Sequence, residues 1–285
     1  MVASTHPIRG LPHRGAFGDA RPPALDGLAL PPAPMPGRMG TRPLKAWRFV
    51  GVFGSELMIC LAAIRVGPVH QCFWAVWDRR AGRLYERTHR GVAAVRLQRG
   101  SAVVAGGELR LALTLEETAG VESICPSGDS YAWTRKQGGV RAHGTLAIGR
   151  GSPRPFAARA VIDDTAAYYE RHTRWRWSAG VGSAVDGREL AWNLVAGVND
   201  PPRDSERSVW VDGVAHEVGP VSFAADLSSV GGLHFTAEAT RRRDENRGLV
   251  RSRYRQPFGT FCGELPGPIA IAEGYGVIED HDAWW

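Results

Sequence analysis

The stretch that most limits how this chain can fold is Arg171-His-Thr-Arg-Trp-Arg-Trp-Ser-Ala-Gly-Val-Gly182. Its partner run is Asp186-Gly-Arg-Glu-Leu-Ala-Trp-Asn-Leu-Val-Ala-Gly197. Residues two apart share one face of a β-strand. The first run therefore puts Trp175, Trp177, Ala179 and Val181 on one face, and His172, Arg174, Arg176 and Ser178 on the other. Asp186-Gly187 predicts a two-residue type I′ turn, because both central residues of that turn need positive φ. Such a loop sets Val185 opposite Arg188, Val181 opposite Trp192, Ala179 opposite Leu194 and Trp177 opposite Ala196. The apolar side chains of the pair then gather on one face. The second face carries His172, Arg174, Arg176, Ser178, Gly180 and Gly182 beside Ala191, Asn193, Val195 and Gly197. A slip by one residue would scramble this sorting. Whether the second face meets solvent or lines a cavity decides what chemistry it supports.

A chain of 285 residues with 44% hydrophobic content and 10 Trp can bury a sizeable core. No run approaches the roughly 18 apolar residues of a membrane span, and the start of the chain has no continuous apolar signal region. Leu57 to Val66, the most apolar stretch, contains Cys60 and Arg65 and reads as a buried strand. Cys60, Cys72, Cys125 and Cys262 are scattered without metal-type spacing, which predicts free thiols and a cytoplasmic location. The net charge of +6 is concentrated early. Arg9, Arg14, Arg21, Arg38, Arg42 and Lys45 face only Asp19 and Asp26, so the remainder is close to neutral. A nucleic-acid partner is not expected on charge alone. Lysine occurs only at Lys45 and Lys136, which we read as the coding bias of a GC-rich genome.

Residues 1–40 are rich in proline and lack apolar periodicity, as expected of an extended arm. From Trp47 onward the chain reads as short strands. Leu109, Leu111, Leu113 and Leu115 alternate strictly with Arg110 and Thr114, after a turn at Gly106-Gly107. Ser130 to Arg135 and Val140 to Ile148 read as two strands, and Asp164 to Arg171 as a two-turn helix capped by Asp163 or Asp164. Val209 to Val218 holds a second Asp-Gly hairpin, and Arg241 to Arg247 reads as a charged loop. The expected fold is all-β: a lipocalin-like antiparallel barrel or two-barrel meander with very little helix. Residues 41–285 form it, as one unit or as two half-barrels, 41–160 and 161–285.

Several runs together resemble the domain of unknown function 2804 family. They are Trp47-Arg-Phe, Phe73-Trp-Ala-Val-Trp-Asp78, Asp164-Thr, Thr173-Arg-Trp-Arg-Trp-Ser-Ala-Gly-Val-Gly182 and Asp186-Gly-Arg188. At the end come Gln256-Pro-Phe-Gly-Thr-Phe-Cys-Gly263 and Gly276-Val-Ile-Glu-Asp-His-Asp-Ala-Trp284. The resemblance spans roughly residues 40 to 285 and implies no activity. At one remove the layout is similar to the lipocalin-like group of carotenoid 1,2-hydratases and tocopherol cyclases. That implies two barrels and an isoprenoid-type ligand, with polar residues beside a Trp, here His172 beside Trp175.

The catalytic candidates are His172, as acid or base, and the pair Glu279 and His281, which an extended backbone aims the same way. The ligand-binding candidates are Arg174 and Arg176 for an anionic group, Asn193 on the same expected face, and the indoles Trp175, Trp177 and Trp192. Arg251, Arg253 and Arg255 read as an ordinary solvated strand face. There is no GxSxG, HExxH, P-loop or dinucleotide fingerprint, so no cofactor or metal is expected. The reading is binding of an apolar or amphipathic small molecule, such as a lipid or isoprenoid, with or without acid–base conversion. The competing reading is a non-catalytic module that docks a protein partner. The sequence leaves open both the oligomeric state and whether the protein is an enzyme.

Overall fold

The computed structural model describes residues 10–18, 20–105, 108–247 and 250–285. The Gly106-Gly107 turn lies outside them. The arm carries β1 (His13–Gly15) and β2 (Arg38–Met39), and β2 pairs with β3 (Arg42–Pro43) just beyond it. A first antiparallel sheet comprises β4 (Lys45–Phe53), β5 (Leu57–Val66), β6 (Val69–Asp78), β7 (Arg83–Arg90), β8 (Val95–Gln98), β9 (Ser101–Val104), β10 (Leu109–Leu115), β11 (Val121–Ser127), β12 (Ser130–Ile148) and β13 (Arg154–Ala167), with β1 joined to it along β11. A second comprises β14 (His172–Ala184), β15 (Glu189–Ala196), β16 (Ser208–Val211), β17 (Val214–Glu217), β18 (Ser229–Val230), β19 (Leu233–Arg247), β20 (Val250–Leu265) and β21 (Ile269–Trp284). Among the described residues there is no α-helix, only a 3-10 turn at Pro23–Leu25.

The first sheet runs β7-β6-β5-β4-β13-β12-β10-β9-β8 and curls until β8 packs on β5 and β6. It encloses Val52, Leu61, Trp74, Leu111, Leu113 and Ile162. The second runs β17-β16-β15-β14-β21-β20-β19-β18 around Trp192, Leu194, Leu233, Phe235, Phe261 and Ile278. The outer faces of the two half-barrels then meet. Phe49, Phe53, Phe73 and Trp77 of the first pack against Trp175, Trp177, Phe258 and Val277 of the second. This is an all-β, lipocalin-like architecture. The arm covers Tyr131, Trp133 and Tyr168 with Leu25 and Leu30. Cys60, Cys72 and Cys125 are buried and Cys262 exposed, all as free thiols.

Four local expectations are corrected. The opening turn is not two residues long. Ala184 N–H donates to Arg188 O, Gly187 N–H donates to Ala184 O, and only Gly187 has positive φ, at 89°. This is a three-residue loop closed by a left-handed glycine. The second hairpin does use the two-residue turn, with Asp212 at φ 49° and Gly213 at φ 80° between paired Val211 and Val214. The longer first loop shifts β15 by one residue, so Gly180 opposes Trp192, Ala179 opposes Asn193 and Trp177 opposes Val195. Trp192 therefore lies on the face away from Trp175 and Trp177, over Gly180. A Cβ at Gly180 would stand 2.2 Å from its ring.

The helix expected over Asp164 to Arg171 is absent. Asp164 to Ala167 finish β13, paired on both sides with β4 and β12. Asp164 caps nothing. It takes Arg48 at 2.8 Å and Arg135 at 2.7 Å. Two turns of isolated helix are marginal, and two flanking ladders outweigh them. The two strands expected over 130–148 are one, β12, with a bulge between Gly138 and Val140. The loop expected at Arg241 to Arg247 is the end of β19, paired with β20.

Candidate active site between the two sheets

The polar side chains of interest stand on two rungs of the second sheet, facing the first. On one rung Arg243 of β19 pairs with Tyr254 of β20, Tyr254 with His281 of β21, and His281 with Trp175 of β14. On the next, Arg241 pairs with Gln256, and Glu279 with Trp177. Because β21 is extended, Glu279 and His281 point the same way and Asp280 and Asp282 the other.

Glu279 is 8% exposed. Its Oε1 accepts the Trp175 indole N–H at 2.9 Å and its Oε2 the Gln256 amide at 3.1 Å. The Tyr254 hydroxyl also reaches it. Burial dominates these contacts and pushes the carboxyl up to about 7, helped by the charge of Asp163. His281 goes the opposite way. Burial lowers it to about 3 although Asp282 pulls it up. Its Nε2 lies 2.8 Å from Ser252 Oγ and its ring 4.3 Å from that of Trp175. An acid that keeps its proton near neutrality thus sits two residues from a histidine that stays neutral. Environments that drive neighbouring groups apart mark acid–base sites.

Arg241 closes the site from β19. It is buried, its guanidinium stacks between Phe73 at 4.1 Å and Tyr254 at 5.2 Å, and it donates to Thr88 Oγ1 at 2.8 Å. Its Nε lies 3.3 Å from Glu86 Oε2, close enough for charge pairing but too poorly aligned for a hydrogen bond. Gln256 Oε1 is buried without a donor among the described residues. A row of rings leads away from Glu279. Trp285 stacks at 6.4 Å on Trp175, Trp175 at 6.2 Å on Trp47, and Trp47 at 5.9 Å on Tyr169. Lys45 lies over Trp285 and donates to Tyr169 O at 2.7 Å; burial lowers it to about 8.

Beyond Trp47 lies a second buried polar group. Trp47 donates to Asp163 Oδ2 at 3.2 Å. Lys136 Nζ bridges Asp163 at 2.5 Å and Glu206 at 3.3 Å. Burial works against the Lys136 ammonium, but the two carboxylates outweigh it and hold its pKa above the ordinary value. Burial also raises Glu206, against the pull of Lys136. Among the described residues no cluster of three or more His, Cys, Asp or Glu is arranged to hold a metal ion.

The structure splits the sequence-predicted residues between two faces. Trp175, Trp177, Asn193, Glu279 and His281 come together between the sheets, and Trp177 donates to Asn193 Oδ1 at 2.7 Å. His172, Arg174 and Arg176 lie on the opposite face of β14. Asn193 does not join them, and Trp192 is packed deeper on their side of the sheet. His172 is largely exposed, stacked 4.2 Å from Trp284 and 2.9 Å from Asp282. Arg176 donates to Phe223 O at 3.1 Å, and both Arg174 and Arg176 stand near Asp280, at 3.8 and 3.6 Å. Sequence reasoning missed Arg241, Tyr254, Gln256, Asp163, Lys136 and Glu206. One signal was available: lysine occurs only twice in a chain with 35 Lys and Arg together, and the structure buries both.

Residues 85–285 match the profile of the family described as Domain of unknown function (DUF2804). The chain belongs to that family. The DUF2804 match begins within β7, so the Trp47-Arg-Phe and Phe73 to Asp78 runs lie outside it, while the whole second sheet lies within. No curated protein matches the chain. Among solved structures, CghA with Sch210972 shares 9% identity at a TM-score of 0.48, covering 96% of this chain and 98% of its own. Kievitone hydratase from Nectria haematococca shares 10% at 0.48, covering 83% and 88%. At such values neither likeness bears on the ligand or reaction of this DUF2804 chain. Among the described residues no helix is long and apolar enough to cross a membrane.

Proposed function

We propose that this protein binds an apolar or amphipathic small molecule, of lipid or isoprenoid character, and transforms it by proton transfer from Glu279. The observation that carries the reading is the Glu279 carboxyl. It is buried between two sheets, bonded by Trp175 and Gln256, and raised to about 7 beside rings that favour an apolar guest. In this reading Glu279 protonates the substrate. The faces of Trp175 and Tyr254 and the neutral His281 surround the charge that develops, and Arg241 favours return of the carboxylate. His172, Arg174 and Arg176 serve as a polar face, the role left to them by the exposure of His172 and Arg174 and by the aspartate partners of all three. A cytoplasmic setting agrees with four free thiols.

Native mass spectrometry of the protein purified from its own host tests the reading. A co-purifying lipid or isoprenoid, retained by E279Q but converted only by the unaltered protein, is the expected result. Repeated recovery of empty protein, or conversion by E279Q at the wild-type rate, would overturn it.

A further inference from the structure

The face of the second sheet turned away from Glu279 carries a charge pattern of its own. Residues directly opposite each other in an antiparallel ladder share a face. The ladders therefore set three rungs across β14, β21, β20 and β19. They are His172–Trp284–Arg251–Asn246, Arg174–Asp282–Arg253–Asp244 and Arg176–Asp280–Arg255–Arg242. Six arginines stand against three aspartates on an area roughly 14 Å each way.

The two signs lie at different heights. The Arg253 and Arg174 side chains are 65% and 52% exposed, whereas those of Asp280 and Asp282 are 25% and 23%. Short carboxylates sit low among longer arginines, so the outer layer of the face is mainly cationic. Asp244 is the aspartate of the three that is exposed. The pairing is also incomplete. Arg174 and Arg176 share Asp280, and Arg253 lies 3.6 Å from Asp282, which His172 already holds. Arg242, Arg251 and Arg255 reach no carboxylate at ion-pair distance among the described residues. Arg255 feels Asp226 only from farther off. Arg242 and Arg255 stand directly opposite each other. Like charges so placed weaken a sheet, and an outside anion relieves them.

Trp284 gives the surface its second property. It is 43% exposed, opposite Arg251 and stacked on His172 at 4.2 Å. An exposed indole among arginines suits the headgroup level of a bilayer. A single-stranded nucleic acid asks for an unbroken cationic track with several rings along it. Here aspartates interrupt two of the three rungs, and Trp284 is the one ring on them besides His172.

We propose that this face docks the protein peripherally on bilayers rich in anionic phospholipid, with the arginines against headgroup phosphates and Trp284 at the interface. The surface does not rest on the role proposed for Glu279.

Cosedimentation with vesicles tests this, using phosphatidylcholine alone and an equal mixture of phosphatidylcholine and phosphatidylserine. The protein should sediment with the mixed vesicles and not with phosphatidylcholine, and less of it as salt is raised. R242Q/R251Q/R253Q should weaken the partition about 100-fold. W284A should weaken it at unchanged charge. R87Q/R90Q/R96Q, which removes three exposed arginines from β7 and β8 of the first sheet, should change it little. Near-UV circular dichroism shows whether each variant is folded. If W284A is not, the two arginine triples decide. The proposal fails if the protein stays in solution beside the mixed vesicles, if the two triples weaken binding equally, or if a folded W284A partitions like wild type. Tighter binding to a dT oligonucleotide than to the mixed vesicles, lost in R242Q/R251Q/R253Q, would overturn the membrane in favour of nucleic acid.

Discussion

The Trp175 indole donates to Glu279 across one diagonal of the β14–β21 ladder, at 2.9 Å, so the ring that walls the inter-sheet site also fixes its acid. Glu279 titrates near 7 when folded and near 4.5 when unfolded. The folded state therefore holds a proton that the unfolded state releases. The resulting stability is complete below about 4.5 and is lost as pH rises through about 7. E279Q keeps the size and cannot ionise. It should remove this loss, with urea melts at pH 8.5 placing the variant above wild type by up to about 3 kcal/mol. Parallel melts at pH 4.5 should show little advantage. An equal difference at both pH values would mean that the carboxyl does not titrate as described.

His281 has the opposite sign. Its folded pKa of about 3 lies below its ordinary 6.5, so the unfolded state binds the extra proton. Stability from this residue is present above about 6.5 and lost as pH falls toward 3. H281Q should flatten the acid limb of the stability profile, by about 3–5 kcal/mol between pH 6.5 and 3. Between about 4.5 and 6.5 Glu279 and His281 oppose each other, so wild type should show a plateau there that each single variant tilts in its own direction. A wild-type slope as steep as that of either variant would rule out the pairing.

Lys136 holds Asp163 and Glu206 together inside the protein. Removing one member of a buried charge cluster leaves the rest uncompensated, a loss of about 3–5 kcal/mol. K136M should lower Tm strongly at pH 7 and recover part of the loss as pH falls, because burial already raises the Glu206 carboxyl and so favours its uptake of a proton. A loss of less than about 1 kcal/mol at pH 7 would show that the cluster is not tightly coupled.

Gly180 makes room for the six-membered ring of Trp192. G180A should destabilise by about 1–3 kcal/mol through overpacking. Trimming the ring in W192L should make the same glycine change cheaper, so a double-mutant cycle should give a coupling of about 1 kcal/mol or more. Additive effects would place the two residues out of contact and restore the register expected from the sequence alone.

How far the chain could be read in advance depended on whether one face of a strand or both are buried. In β10, Leu109, Leu111, Leu113 and Leu115 are buried while Arg110, Ala112 and Thr114 are exposed, and the alternation gave the strand and its orientation directly. The spacing of Glu279 and His281 likewise set both on one face. β15 is buried on both faces, so Ala191, Asn193 and Val195 fit an interior as well as Leu190, Trp192 and Leu194 do. Polarity then cannot report a one-residue shift, and the sequence alone puts Trp192 and Asn193 on the wrong sides. Arg241 was hidden for another reason. Its neighbours Arg242 and Arg243 are exposed, and nothing in a run of three arginines says which one turns inward between Phe73 and Tyr254. Asp163 and Glu206 lie 43 positions apart, and only the folded sheets bring both to Lys136.

The three-residue loop at Val185-Asp186-Gly187 has a consequence for how such a chain diversifies. Shortening it by one residue would exchange the two sides of β15. Trp192 and Leu194 would be presented to the packed layer around Glu279, and Ala191, Asn193 and Val195 to the interior of the second half-barrel. A single deletion in the loop, with no side chain of β15 altered, would thus exchange the residues that two packed layers receive. Turn length here decides which side chains stand beside Glu279, from a position that none of them occupies.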